Sequence, residues 1–446
     1  MVPNDKTGVT RRDLLKTTGA GGIVLVGTTA GCLESSDGGD GGAEDGGSGG
    51  GNESTGGGAE GTDSSGGGGS GQDSYSIGMV NALTGSLAPY GERNQRGTEL
   101  ALAAINEVGV GSNDGEFSVI EEDSESVNQA GVNGARKLVT QDEVPLLIGA
   151  VGSGVSIAIF DSVVSGTDVV QISQNSTSPE LTNKPDLLRT SPSGSAKGKA
   201  LASLVAEEHD TVAVTWINND YGTGLSEVFA GSFEGDVAYN TPHDQDQSSY
   251  RGILSEMAGT DATAWVFITY ANEYTIMVNE AYDQGFNEEV DYYGAESTVA
   301  DSIIENTEPG SMDGMTGITE SAPVDQESYQ QFQSAFEDQF DASPTVWSAY
   351  AYDAVTIAAI ATEAASEFTG AALQEVVRDV TRPEGEQVYT FEEAKQILAD
   401  GGSASDVNYE GVSGPVDLDE NGDPPGYYQI YRVADHSYEY GDFITG

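Results

Sequence analysis

Three short segments of this sequence carry hydroxyls and glycines at the ends of apolar runs. Asn81-Ala82-Leu83-Thr84-Gly85-Ser86-Leu87-Ala88-Pro89-Tyr90-Gly91 follows a run at 75–80. Gly149-Ala150-Val151-Gly152-Ser153-Gly154 follows one at 144–149, and Ser173-Gln174-Asn175-Ser176-Thr177-Ser178-Pro179 one at 169–172. Hydroxyls and backbone N–H groups at helix N-termini can hold a small anion such as a carboxylate without a cation. A second set of segments differs in kind. Asp220-Tyr221-Gly222, Thr269-Tyr270 and Gly294-Ala295-Glu296 supply aromatics and one acid. A wall that binds an anion, faced by a wall that presents a carboxylate, is what a zwitterion requires.

These segments need elements that bring them together. Apolar runs at 75–80, 117–121, 144–149 and 169–172 read as strands, with helices over 93–108, 127–140 and 153–164 between them. The run at 144–149 is continuous and apolar, as a strand buried on both faces must be. The rhythm restarts with helices over 196–207, 222–233, 250–257 and 274–284 and strands over 212–217, 237–241, 264–268 and 290–293. A strand over 315–319 follows. Helices then read over 328–340, 346–365, 371–380 and 392–398, and β-like segments over 415–418, 427–433 and 437–443. The expected fold class is α/β, with two doubly wound parallel-sheet lobes and a crossover near 190–193. In such sheets ligands lie beyond the carboxyl ends of the strands, where all six segments fall. A cleft between the lobes is the default ligand site.

Other motifs carry less. Gly46-Gly47-Ser48-Gly49-Gly50 spells a hydrolase elbow but lacks the strand and helix it needs. Asp417-Leu418-Asp419-Glu420-Asn421-Gly422 begins like a calcium loop, but Tyr428 stands where the closing glutamate belongs, so a β-turn is expected. Asn175-Ser176-Thr177 is a glycosylation sequon inside the suspected site and is expected to be unmodified. His209, His243 and His436 are scattered, without metal-ligand spacing, and are expected at the surface. No catalytic nucleophile–base pair, metal set, cofactor motif or phosphate loop stands out.

The chain of 446 residues carries 73 acidic against 17 basic residues, a net charge of -56. Only nine acids lie between Leu33 and Asp73, so the charge belongs to the folded part. Self-repulsion of that size favours a medium of high ionic strength and excludes nucleic acid as a partner. Residues 33–74 are Gly, Ser, Asp and Glu with almost no apolar side chain, and read as a disordered tether. At the start, Thr10-Arg11-Arg12-Asp13-Leu14-Leu15-Lys16 precedes a weakly apolar run that ends at Thr29-Ala30-Gly31-Cys32, whose cysteine is the only one in the chain. Residues 1–32 thus read as an export signal, with Cys32 as a lipid acceptor.

That signal resembles those of Tat-exported lipoproteins, with Thr29 where a lipobox has leucine. The folded part resembles the branched-chain amino-acid-binding family of solute receptors for ABC importers, the type I two-lobed binding proteins. The motifs that carry the resemblance run in order. They are Ile77-Gly78 to Leu83-Thr84-Gly85, Tyr90-Gly91 and Gly97 to Ile105-Asn106; Ile148-Gly149 with Ser153; Ile172-Ser173 with Ser176-Thr177 and Pro179-Glu180-Leu181-Thr182; Arg189-Thr190; Tyr221-Gly222 with Gly224-Leu225; and Pro415 with Gly422. The resemblance implies three hinge crossovers, with one lobe from 75–192 plus 320–412 and the other from 193–319 plus 413–446. It implies that Ser153, Thr177 and backbone groups at Ser176 hold a ligand carboxylate. Glu296 would pair with the ligand ammonium, and Tyr90, Tyr221 and Tyr270 would wall the side-chain pocket. Ser153 and Thr177 also suit helix N-caps, and each tyrosine also suits packing. The implied partners are an amino acid, a permease with its ATPase, and the outer face of the membrane through the lipid anchor. The same fold would also suit an amide, urea-type or other carboxylate solute, a secreted enzyme, or a sensor subunit acting in trans.

Overall fold

The computed structural model describes residues 73–445. The export signal, Cys32 and all but the last two residues of the tether fall outside the described residues. Strands β1 (Ser74–Asn81), β2 (Glu116–Asp123), β3 (Leu146–Gly149), β4 (Val170–Ser173) and β5 (Leu187–Arg189) form a parallel sheet in the order β2-β1-β3-β4-β5. Strands β6 (Thr211–Ile217), β7 (Asp236–His243), β8 (Ala264–Ile268), β9 (Asp291–Gly294) and β10 (Thr316–Glu320) enter a second sheet. With β13 (Tyr427–Ala434) and β14 (Ser437–Thr445) its order is β14-β13-β10-β9-β8-β6-β7, while β11 (Glu386–Val388) and β12 (Val407–Tyr409) pair separately. Strands β13 and β14 run antiparallel to their neighbours.

The strand sequences explain why helices cover both faces. In β8, Ala264, Val266 and Ile268 enter one core cluster while Trp265 and Phe267 enter another. In the first sheet Ile77 and Met79 face one cluster and Val80 the other. Alternate side chains point to opposite faces, so a strand apolar at every position is buried on both.

Two glycines on the first helix, Ala88–Val108, are there for close approach. A Cβ on Gly97 would lie 2.1 Å from the backbone oxygen of Ser348 on the helix Val346–Ala364, and one on Gly91 would lie 1.8 Å from the oxygen of Ala82. They let the helix lie flat on its neighbours and fix where Tyr90 sits.

Three crossovers join the lobes. The first, 190–193, is tied down by Thr190 Oγ1, which donates to Tyr350 O at 2.9 Å. The second follows β10. The third is held by Asp353, whose carboxylate accepts bonds from Tyr409 Oη, Val412 N, Ser413 N and Ser413 Oγ. Burial pushes this carboxyl up to about 6, against the pull of those donors. The return to the second sheet comes later than the 412/413 boundary that the sequence suggested. Val416 and Leu418 still pack in the first lobe's core, and no strand forms over 415–418. Within this crossover Gly422 N donates to Asp419 O at 3.1 Å, which is a turn.

One strand was missed and one further expectation needs correction. Strand β5 is only three residues long and gave no run to recognise. His209 and His243 are buried, not surface residues. His243 sits between Thr215 and Thr269 through its two ring nitrogens, and burial lowers its pKa to about 4.

Candidate functional site

Because β1, β3 and β4 are neighbours, the loops after them leave the sheet along one edge. They meet the loops after β6, β8 and β9 at a cavity of about 350 Å³, part of it open to solvent. From the first lobe it is lined by Leu87 and Tyr90, by Val151, Gly152 and Ser153, and by Asn175 and Thr177. From the second it is lined by Tyr221, Tyr270, Glu296 and Ser297.

The first wall is polar and braced. Ser153 Oγ accepts from Ser178 N at 3.2 Å, which joins two of the loops. Neither Ser153 nor Thr177 is a helix cap. Gly152 precedes the helix Ser153–Ile159, and Ser178 caps the short turn Pro179–Asn183 by accepting from Glu180 N. Asn94 Nδ2 donates to Asn175 Oδ1 at 2.7 Å, which orients the Asn175 amide. Asn175 is buried, and its Nδ2 has no partner within the protein. An unmade donor in a buried place is costly unless something else accepts from it.

The second wall is aromatic with one acid. Tyr221 and Tyr270 stack with centroids 5.6 Å apart. Each is pinned by its hydroxyl, Tyr221 to Ser297 Oγ at 2.8 Å and Tyr270 to Asn219 Nδ2 at 3.1 Å. Across the cavity Tyr90 meets Trp347 edge to face at 5.4 Å. Burial, with Glu296 nearby, raises the pKa of Tyr90 and of Tyr221, so both phenols stay neutral.

Glu296 is not alone. Lys197, fully buried on the helix Gly194–Ala206, forms an ion pair with Glu296 Oε2 and donates to Glu320 Oε1 at 2.7 Å. Burial pulls the lysine's pKa down, but the two carboxylates outweigh it and hold the ammonium above its ordinary value. Burial and the charge on Glu296 push Glu320 up to about 7. Glu320 Oε2 is buried without a hydrogen-bond partner. A second cavity, of about 990 Å³, adjoins the first through Glu296 and Trp347.

The structure therefore brings Tyr90, Ser153, Thr177, Tyr221, Tyr270 and Glu296 to one cavity. It does not bring Ser176 there. Ser176 Oγ bonds to Ser156 and to Ala150 O, its N–H donates to Ser173 Oγ, and its carbonyl accepts from Arg189 and Ser191. Every backbone group once expected to meet a ligand at Ser176 is committed within the protein.

Sequence reasoning missed Asn175, Trp347, Lys197 and Glu320. Asn175 lay inside a segment already singled out. Glu320 ends a strand, which is where ligands lie in this architecture. Lys197 carried a fainter signal, one of two lysines within a small-residue helix of a chain poor in lysine. Trp347 stands at the start of the helix Val346–Ala364, after another helix and not after a strand, and had none.

A family model described as periplasmic binding protein matches residues 74–436. The chemotactic signal transduction system substrate-binding protein BasB of Halobacterium salinarum is 23% identical over 369 residues, which is 80% of this chain and 85% of that one. Among solved structures, the branched-chain amino acid transporter substrate-binding protein LivJ of Streptococcus pneumoniae, in complex with isoleucine, shares the fold. Its TM-score is 0.70 at 21% identity, over 84% of this chain and 100% of that one. So does a solute-binding protein of an ABC transporter from R. palustris in complex with benzoate, with a TM-score of 0.66 at 17% identity over 83% and 96% of the two chains.

Proposed function

Since the chain belongs to the periplasmic binding protein family, we propose that it captures a small amino acid, of the branched-chain type, between its lobes and delivers it to an ABC permease. The observation that carries this reading is the polarity of one cavity. Hydroxyls and an unpartnered amide lie on one wall and a carboxylate on the other, with four aromatic rings between. Ser153, Thr177 and Asn175 would receive the ligand carboxylate, and Glu296 the ammonium. Tyr90, Tyr221, Tyr270 and Trp347 would enclose an apolar side chain.

Binding would select the closed arrangement, because the two walls belong to different lobes and only closure satisfies both ends of the ligand. Nothing in this scheme requires bond making. On this reading the chain is exported by its twin-arginine signal and held by a lipid on Cys32 at the outer face of the membrane. Its acidic surface would suit a salty medium.

Calorimetric titration in molar salt tests the proposal. Leucine, isoleucine or valine should bind more tightly than benzoate or a simple amide. Tight binding of benzoate with no heat from any amino acid would replace the ligand reading. A second role is favoured by the similarity to BasB, a chemotactic substrate-binding protein. The loaded chain would then also be read by a separate signalling receptor.

A further inference from the structure

Charges in a buried place must balance, because desolvation makes an uncompensated one expensive. At this site they do not balance. Two buried carboxylates, Glu296 and Glu320, share the single ammonium of Lys197. Arg93 does not make up the deficit. It lines the adjoining cavity, lies 5.5 Å over the Tyr90 ring and makes no ion pair with either acid, while the exposed Asp301 lines the same cavity. The remaining titratable groups that act on Glu320 or feel it are Tyr90, Tyr221, Tyr350 and Tyr428. Burial raises the pKa of each, so all four are neutral.

We propose that Lys197, Glu296 and Glu320 form a trap one positive charge short, which holds a proton when empty and exchanges it for the ammonium of the ligand. This rests on the zwitterion reading above and extends it. The trap sets the ligand class as well as its orientation. An ammonium brings the charge the site lacks, whereas a solute with only a carboxylate leaves the deficit in place. The proton resides on the carboxylate pair and departs to solvent as the ligand's positive end arrives. Glu320 is its most suitable carrier, since burial and the charge on Glu296 push its carboxyl up to about 7 and its Oε2 has no other partner.

The sign of the pH dependence follows. The empty site holds a proton below about pH 7 and the occupied one does not, so the free protein binds more protons than the complex there. Affinity should therefore rise with pH up to about 7, by at most tenfold per pH unit, and level off above.

Titration of the full chain with L-leucine at pH 6, in buffers of different ionisation enthalpy, reads the exchange directly. The expected result is that the observed enthalpy changes with the buffer by an amount equal to release of most of a proton, and that this falls towards zero at pH 8.5. Glu320→Gln should abolish the buffer dependence while leucine still binds. Binding of L-leucine with no buffer dependence at pH 6 would overturn the inference and leave the proposed function standing. Binding of 4-methylpentanoate, which lacks the ammonium, in place of leucine would overturn both, as would binding of neither.

Discussion

Arg189→Ala should lower the unfolding free energy by about 3–5 kcal/mol, the cost of leaving one member of a buried ion pair without its partner. Arg189 has no exposed surface, and each arm of its guanidinium is used. Nε donates to Asp423 Oδ1 at 2.7 Å, Nη1 to Ser176 O at 3.2 Å and Ser178 O at 2.9 Å, and Nη2 to Thr182 Oγ1 at 3.0 Å. Asp423 belongs to the third crossover and Arg189 ends β5, so this contact ties two of the three connections together. The same arginine brackets Thr177 by holding the carbonyls on either side. Ligand affinity should fall together with stability, because the loop that aims Thr177 at the cavity loses its brace. Arg189→Lys restores a charge but not the planar fork, and should recover only part of either loss. Urea unfolding and a leucine titration check both. A loss below about 1 kcal/mol would show that water replaces the arginine, and that the arginine is not the brace described here.

Glu296→Gln should act differently, with a large loss of affinity and little loss of stability. Lys197 keeps Glu320 as its partner, so the fold retains a balanced buried pair. The ligand ammonium, however, would meet an amide beside a site that no longer carries excess negative charge. Removing one member of a buried charge pair at an interface costs about 2–5 kcal/mol, which is roughly thirtyfold or more in affinity. Thermal unfolding without ligand and calorimetry with it separate the two quantities. Unchanged affinity would mean that Glu296 serves Lys197 alone.

Much of this was visible in the residues themselves. Short continuous apolar runs such as Ala264–Ile268, rich in aromatic and β-branched residues, read as strands buried on both sides, and the helical stretches between them leave a doubly wound sheet as the consistent answer. Once the strands are placed, the loops at their carboxyl ends are the site, which groups the segments that hold Ser153, Thr177, Tyr221, Tyr270 and Glu296; the role of each single residue came from the resemblance to the binding-protein family. Less was legible where function depends on contacts between distant segments. Ser176 looks like a ligand donor beside Thr177, yet hydroxyls at positions 156 and 173 occupy it. Glu296 reads as an unpaired acid until the fold places Lys197, ninety-nine positions earlier, against it. The third crossover misled because Val416 and Leu418 alternate like a strand but serve to fill the first lobe's core.

A crystal structure of the chain grown with L-leucine tests the central claim most directly. The account predicts the amino acid between the lobes, its carboxylate within hydrogen-bond reach of Ser153 Oγ, Thr177 and Asn175 Nδ2, and its ammonium beside Glu296. Leucine lying elsewhere, or lying in the cavity with its ammonium turned to the hydroxyl wall, would contradict it.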